Sequence, residues 1–172
     1  FVFQEKTLSL PHENTGTDSA ASRSRENEPT MKKAALFDMD GTLVDNTPAH
    51  IRAFSIFCDR YGVTDWAEKL SGVYGMGNDD IMGRILPEEV IREKGLAALA
   101  AEKEAIYREL YEPLIRPTAG LLDFLEALRR EGIACAVGSS AEMRNIRFVF
   151  EKCGIESYFQ TVVSSEQVTR CK

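Results

Sequence analysis

The sequence predicts an α/β fold in which a parallel sheet core carries an inserted, all-helical cap. Three short apolar runs, at residues 34–38, 133–137 and 161–164, have the length and composition of buried strands. Helical patterns separate these runs, and strands that alternate with helices pair in parallel and are covered by helices. The region between the first two runs has only helical patterns, which indicates an insert between two neighbouring core elements.

The first strand and the first helix have clear boundaries. Residues 34–38 (AALFD) end in an acid, as expected for a buried strand whose carboxyl end opens into a polar loop. Thr47 and Pro48 supply an N-cap and a proline at the first helical position, and Gly62 ends the helix. Apolar residues at helical spacing predict the buried stripe of this helix, namely Ile51, Phe54, Cys58 and Tyr61.

Helical signals then continue to about residue 112. Asn78 and Pro87 each mark a further helix start, and residues 96–112 form a long run with apolar residues at helical spacing. We therefore place the cap at residues 47–113.

The chain returns to the core after the cap. A leucine-rich helix ends at Gly132, and after the second strand a helix is expected over residues 141–152. The third strand follows this helix. The core domain is thus predicted to consist of residues 31–46 and 114–172.

Composition excludes several classes of function. The net charge of −6 and the isoelectric point near 5.1 would repel a phosphodiester backbone, so we expect no nucleic-acid partner. No apolar run is long enough to cross a membrane, so we expect no membrane partner either. The four cysteines form no CxxC pair and there are only two histidines, which argues against a zinc site. Reduced cysteines favour a cytoplasmic location.

Residues 1–30 differ from the remainder of the chain. They are mostly polar and have neither helical nor alternating periodicity, so we expect disorder. Their apolar opening is too short for a secretory signal. Met31 stands directly before the first strand, which suggests that the native chain starts there and that residues 1–30 are a non-native or upstream extension.

Two acidic residues follow the first strand at a spacing that suits a shared site. Asp38 and Asp40 lie where open α/β sheets bind ligands, and residues two apart in extended chain point to the same side. Gly41 permits a tight turn. A hard cation such as Mg²⁺ would offset the repulsion between the acids and bind a phosphate. Asp38 would then attack phosphorus, while Asp40 would protonate the leaving oxygen and later deprotonate water.

Residues 37–45 (FDMDGTLVD) resemble the first motif of the haloacid dehalogenase superfamily, DxDG[TV] after a hydrophobic strand. The alternative is that the segment is only a strand end and an acidic turn. The resemblance covers essentially residues 31–172, with a helical cap directly after the motif, as in the subgroup that contains β-phosphoglucomutase and phosphoglycolate phosphatase. It implies a Rossmann-like core, an aspartyl-phosphate on Asp38 and a Mg²⁺ ion held partly by the backbone carbonyl of Asp40. Members that act as dehalogenases usually lack the second Asp, so Asp40 favours phosphoryl transfer.

The resemblance also implies phosphate-binding residues. Ser139 follows the second strand, where the family has a Ser or Thr that donates to the phosphate, and the helix that starts near Ser140 would present free amides to an anion. Alternatively, Ser139 and Glu142 form a capping box and Ser139 only caps its own helix. Lys172 stands where the family has the lysine that neutralises the phosphate, although a solvated terminal lysine is the alternative.

The family's fourth motif, an acid-rich loop that completes the Mg²⁺ site, lies beyond the third motif, and the sequence ends before it. We therefore expect a truncated chain with an exposed edge on the first strand, weak metal binding and little turnover. Specificity is expected in the cap at His50 and Asn78, although both also fit ordinary first-turn positions of helices. β-Phosphoglucomutase is similar near His50 but has an arginine about where Asn78 stands, which argues against mutase activity.

The sequence thus predicts a Mg²⁺-dependent phosphatase that hydrolyses a small phosphorylated metabolite, with sugar phosphates favoured, through an aspartyl-phosphate. Two alternatives stay open. One is a hexose-phosphate mutase that resembles β-phosphoglucomutase, and the other is a catalytically silent binding module with the same fold. Neither the individual substrate nor the oligomeric state follows from the sequence.

Overall fold

A computed structural model of the chain describes residues 33–71 and 76–169. The strands in these residues are β1 (Ala34–Phe37), β2 (Ala134–Gly138) and β3 (Thr161–Val163). The α-helices are α1 (Thr47–Arg60), α2 (Trp66–Lys69), α3 (Asn78–Ile85), α4 (Glu88–Lys94), α5 (Leu96–Tyr111), α6 (Leu121–Arg130) and α7 (Met143–Cys153). Short 3₁₀ turns cover Glu156–Tyr158 and Ser165–Gln167. The predictions for residues 1–30 and for Lys172 lie outside the described residues.

The three strands form one parallel sheet in the order β1-β2-β3. Phe37 lies opposite Val137, and Val137 lies opposite Val162. The predicted α/β class and the parallel sheet are therefore confirmed. In the described sheet β1 is an edge strand, as the sequence predicts, and Leu36 is 54% exposed there.

Helices α6 and α7 connect the strands, because parallel strands need a crossover between them. Leu125 of α6 and Ile146 and Val149 of α7 belong to the same buried cluster as Phe37 and Val137 of the sheet. These residues fix β1 and β2 side by side. The carboxyl ends of the two strands therefore meet at one edge of the sheet, where the predicted acids and serines stand.

Helices α1–α5, for which we keep the name cap, follow β1 without an intervening strand. The longest two, α1 and α5, pack against each other. Phe54 and Cys58 are buried in this contact as predicted, whereas Ile51 is 40% exposed and its assignment to the buried stripe is wrong. Besides Phe54 and Cys58, the buried side of α1 includes Ala53 and Phe57, which lie at the i, i+4 spacing of one helix side.

Two helix starts differ from the prediction. The N-cap of α1 is Asn46, with Thr47 already helical. Helix α7 starts at Met143 and its N-cap is Glu142, so the capping box expected from Ser139 to Glu142 does not form. The hydroxyl of Ser139 instead accepts a hydrogen bond from the backbone N–H of Ala141 (3.1 Å), which closes a local turn before the helix.

None of the helices in the described part of the chain has the length and apolar composition of a bilayer-spanning segment.

Candidate active site

A cavity of about 350 Å³ lies between the carboxyl end of β1, the cap and the loop that follows β2. From the core, Asp38, Asp40 and Ser140 line it. Of the residues predicted for the cap, His50 and Asn78 also line it. The structure therefore brings five of the seven predicted site residues to one cavity.

The two acids reach the cavity because of the chain path after β1. Met39 between them is fully buried and anchors the segment in the core. The chain then turns at Gly41, whose φ of 74° lies in the left-handed region that favours glycine. The backbone N–H of Gly41 donates to the carbonyl of Val44 (2.9 Å), and the N–H of Leu43 donates to the carbonyl of Met39 (2.9 Å). This tight turn leaves Asp38 and Asp40 on either side of a buried anchor, both facing the cavity.

The environment of Asp40 favours its protonated form. Burial, together with the negative charges of Asp38 and Glu104, raises the pKa of Asp40 above its ordinary value, although hydrogen bonding to Asn46 and the charge of Lys103 lower it in part. The side-chain amide of Asn46 donates to Oδ1 of Asp40 at 2.6 Å. A carboxyl group that keeps its proton at higher pH and is held by a fixed donor has the properties of a general acid.

Asn46 also connects this acid to the cap. Its side chain is fully buried, and its amide donates to the hydroxyl of Tyr107 on α5 at 2.8 Å. Burial raises the pKa of Tyr107 above its ordinary value, so the hydroxyl is neutral at neutral pH. Asp40, Asn46 and Tyr107 thus form a continuous polar contact between the loop after β1 and the cap.

A buried ion pair between Lys103 and Glu104 stands at the cap end of the cavity. Lys103 Nζ lies 2.8 Å from Glu104 Oε1, and their side chains are 2% and 3% exposed. Burial on its own would raise the pKa of Glu104, but Lys103, His50 and Asn145 together lower it, so the carboxylate is ionised at neutral pH.

His50 is the third member of this cluster. Lys103 Nζ lies 2.9 Å from His50 Nδ1, and because an ammonium group only donates, Nδ1 is the acceptor. The ring stacks on Tyr107 with 3.8 Å between the centroids. Burial and the charge of Lys103 lower the pKa of His50 to about 3, so the imidazole is neutral.

Three hydrogen bonds link the cap to the first turn of α7 and its N-cap in the core. Asn145 donates to Oε2 of Glu104 at 2.6 Å. Arg108 donates to Glu142 at 2.6 Å and to the side-chain oxygen of Asn145 at 2.5 Å. These contacts fix α5 over the loop that follows β2 and so define the far wall of the cavity.

The two predicted serines have different surroundings. Ser139 is buried, its N–H donates to the carbonyl of Val163, and it does not line the cavity. Ser140 does line the cavity, and its buried Oγ has no hydrogen-bond partner among the described residues. A buried hydroxyl that faces a cavity without a partner is suited to donate to a ligand.

Sequence reasoning missed five polar residues of the site: Asn46, Lys103, Glu104, Tyr107 and Asn145. One signal was available for Lys103, because it continues the buried face of α5 from Leu99 to Ile106 at spacings of four and three residues. A charged residue on an apolar helix face points to a buried partner.

Asp38 and Asp40 are the acids at this cavity that fit a magnesium ion. Within residues 33–71 and 76–169 there is no group of three or more His, Cys, Asp or Glu side chains suited to hold a metal. Mg²⁺ is nevertheless commonly bound by one or two carboxylates together with water and substrate phosphate, and it prefers oxygen ligands. The two acids meet this requirement in number and in chemistry.

A sequence model of haloacid dehalogenase-like hydrolases matches residues 35–172, which include β1, the acids, the cap and the rest of the core. The chain belongs to this family. Two curated relatives are a phosphorylated carbohydrates phosphatase from Thermotoga maritima, 25% identical over 143 residues, and an N-acetylmuramic acid 6-phosphate phosphatase from Pseudomonas aeruginosa, 26% identical over 147 residues. Each alignment covers 81% of this chain, and the chain spans 64% and 62% of the two relatives' lengths.

Two solved structures confirm the fold. A β-phosphoglucomutase from Clostridium difficile has a TM-score of 0.66 at 22% identity, with 81% of this chain and 65% of that chain covered. CbbY from Rhodobacter sphaeroides, solved in complex with phosphate, has a TM-score of 0.63 at 21% identity, with 80% and 65% covered. Both likenesses support the predicted α/β core with a helical cap.

Proposed function

We propose that this haloacid dehalogenase-like protein is a Mg²⁺-dependent phosphatase that hydrolyses a small phosphorylated metabolite, with sugar phosphates favoured, through an aspartyl-phosphate. The observation that carries the proposal is that Asp38 and Asp40 line the same cavity and that the pKa of Asp40 is raised there. The T. maritima relative is named a phosphorylated carbohydrates phosphatase, and the P. aeruginosa relative is named a phosphatase of N-acetylmuramic acid 6-phosphate. The first of these names supports the substrate class.

Asp38 would act as the nucleophile. It is the exposed member of the two acids, so its carboxylate is open to an incoming phosphate. An oxygen of Asp38 would form a bond to phosphorus as the bond from phosphorus to the substrate oxygen breaks. The departing oxygen would take the proton of Asp40, whose raised pKa keeps that proton available.

The second half of the reaction would use the same two groups. Asp40, now ionised, would take a proton from water as the water attacks phosphorus, and Asp38 would leave as a carboxylate. Asn46 would hold the Asp40 carboxyl in one orientation through both steps, because its amide lies 2.6 Å from Oδ1. The result is inorganic phosphate and the regenerated pair of acids.

The remaining phosphate contacts would come from the loop after β2. The hydroxyl of Ser140 has no partner among the described residues and lines the cavity, so we assign it a hydrogen bond to the phosphate. The family resemblance implies phosphate-binding roles for Ser139 and Lys172 as well, but Ser139 does not line the cavity, so the geometry supports Ser140 in its place.

Asp38 and the backbone carbonyl of Asp40 would hold Mg²⁺. When bound, the ion would neutralise negative charge on Asp38 and on the phosphate oxygens.

Phosphate release from p-nitrophenyl phosphate and a panel of sugar phosphates, with Mg²⁺ and with EDTA, tests the proposal. We expect Mg²⁺-dependent release that Asp38→Asn abolishes. The matched control is Asp59→Asn, which removes an exposed carboxylate of α1 outside the cavity and should leave release unchanged. Release that survives Asp38→Asn would contradict the nucleophile assignment, and a requirement for a sugar bisphosphate primer would favour the mutase alternative.

A further inference from the structure

We propose that Glu104 determines specificity by neutralising Lys103, so that the cavity selects phosphomonoesters with an uncharged, hydroxyl-rich far end and rejects those with a second anionic group. The inference rests on the proposed function, in which the phosphoryl group lies at Asp38. It concerns the opposite end of the cavity, which the cap forms.

The charges on the cavity wall are few. Among the described residues that line it, Asp38, Asp40 and Glu104 are acidic and Lys103 is the one lysine or arginine. The two aspartates lie at the phosphoryl end. The cap end therefore contains one cation and one anion, which lie 2.8 Å apart and cancel each other.

Lys103 is not free to turn towards a ligand. Its ammonium contacts Glu104 Oε1 at 2.8 Å and His50 Nδ1 at 2.9 Å, and it lies 4.3 Å from the ring centroid of Phe54. Glu104 is equally fixed, because its second oxygen accepts from Asn145 at 2.6 Å. A ligand carboxylate that recruited Lys103 would have to leave Glu104 as a buried, uncompensated charge, which is strongly unfavourable.

The other groups at the cap end are neutral. His50 is uncharged because burial and Lys103 lower its pKa to about 3. Asn78 contributes an amide, and Phe54, Met76 and Ile81 contribute apolar surface. Hydroxyl groups on a carbon skeleton match this mixture, whereas an anionic tail would lose its hydration without gaining an unpaired cation.

Calorimetric binding of two matched probes tests the inference. Glucose 6-phosphate and 6-phosphogluconate share the phosphate end and the number of carbons, but only the second has a carboxylate at the far end. The Asp38→Asn protein with Mg²⁺ prevents turnover and leaves the cap end unchanged. We expect it to bind glucose 6-phosphate at least about tenfold more tightly, which corresponds to about 1.4 kcal/mol.

Adding Glu104→Gln should expose the charge of Lys103 and reduce this preference by about tenfold or reverse it. The matched control is Glu102→Gln on the same helix, where the carboxylate pairs with Arg60 and Tyr61 outside the cavity. It should leave the preference unchanged. The double variant Lys103→Met/Glu104→Gln removes both charges and should restore the original preference.

Equal affinity for the two probes, or a preference that Glu104→Gln leaves unchanged, would overturn the inference. So would a gain for 6-phosphogluconate that persists in the double variant, because Lys103 is then not its source. Should Glu104→Gln fail to fold, Asn78→Arg supplies an unpaired cation on the same wall, and an unchanged preference in that variant would also refute the idea.

The two proposals fail in different ways. If the protein prefers glucose 6-phosphate as expected but releases no phosphate, the phosphatase proposal is refuted and the inference is supported. Phosphate release without the preference, or binding of neither probe by a protein that releases phosphate, would refute the inference alone. Binding of neither probe by a protein that releases no phosphate would overturn both.

Discussion

Replacing Glu104 by alanine should destabilise the protein by about 3–5 kcal/mol, because it leaves the ammonium of Lys103 buried without its counter-ion. The distance of 2.8 Å between the charges gives an attraction of roughly 6 kcal/mol at an effective dielectric constant of about 20. The cost of burying both groups offsets part of this attraction in the native protein. In the variant the attraction is lost, but the cost of burying the ammonium of Lys103 remains, since its side chain is only 2% exposed.

Urea unfolding followed by circular dichroism measures this effect. A loss of about 3–5 kcal/mol corresponds to a fall in Tm of roughly 6–20 °C for a protein of this size. The matched control is Glu102→Ala, whose ion pair with Arg60 has side chains 30% and 52% exposed. Exposed pairs contribute about 0–1 kcal/mol, so this variant should unfold near the wild-type midpoint.

The double variant Lys103→Met/Glu104→Leu distinguishes the contribution of the ion pair to stability from that of the surrounding packing. Replacing both charges by apolar groups of similar volume should restore most of the stability, since buried ion pairs are often no better than apolar contacts. A Glu104→Ala variant that loses less than about 1 kcal/mol would refute the reasoning. It would show that water or another group compensates the charge of Lys103.

Three further predictions concern the polar groups of the cavity. His50 has its usual pKa of 6.5 in the unfolded chain and a pKa of about 3 in the folded chain. Between these pH values only the unfolded chain binds the proton. The free energy of unfolding should therefore fall as the pH drops from 6.5 to 3, by about 1.4 kcal/mol per pH unit at most. In His50→Gln the unfolding free energy should lose this dependence. Asp40→Asn should slow the hydrolysis of alkyl phosphates far more than that of p-nitrophenyl phosphate, because the p-nitrophenolate leaving group needs no proton. Initial rates of phosphate release measure this difference. Asn46→Ala removes a donor that lowers the pKa of Asp40, so the alkaline limb of the pH–rate profile, where Asp40 loses the proton it must donate, should move to higher pH.

Each of these predictions has an outcome that contradicts it. If the unfolding free energy of His50→Gln depends on pH as steeply as that of the wild type between pH 3 and 6.5, the titrating group is not His50. Equal rate losses for alkyl and aryl phosphates in Asp40→Asn would exclude proton donation by Asp40. An alkaline limb that stays in place in Asn46→Ala, with Tyr107→Phe as the comparison, would show that the amide has no influence on the acid.

Local patterns in the sequence were sufficient for most elements of the fold. The strands β1 and β2 and the long helix α5 lie within a residue or two of their predicted positions, because apolar runs and helical periodicity act over a few residues. Local reasoning was wrong where two local arrangements compete. At Ser139 the hydroxyl accepts from Ala141, so the alternative in which it caps α7 is wrong. In α1, Ile51 is exposed, whereas Ala53 and Phe57 join Phe54 and Cys58 on the buried side.

The sequence by itself determined the strands and helices of the α/β core and of the cap, and the placement of Asp38 and Asp40 at a strand end, because apolar runs, helical periodicity and strand ends are patterns of a few residues. Only the tertiary structure decided what the acids face. His50 and Lys103 are 53 residues apart, and Glu104 and Asn145 are 41 apart. These pairs meet only when α5 packs against α1 and α7. A buried charge is stable only with its partner in place, so the packing of the helices, rather than any local pattern, set the electrostatics of the cavity.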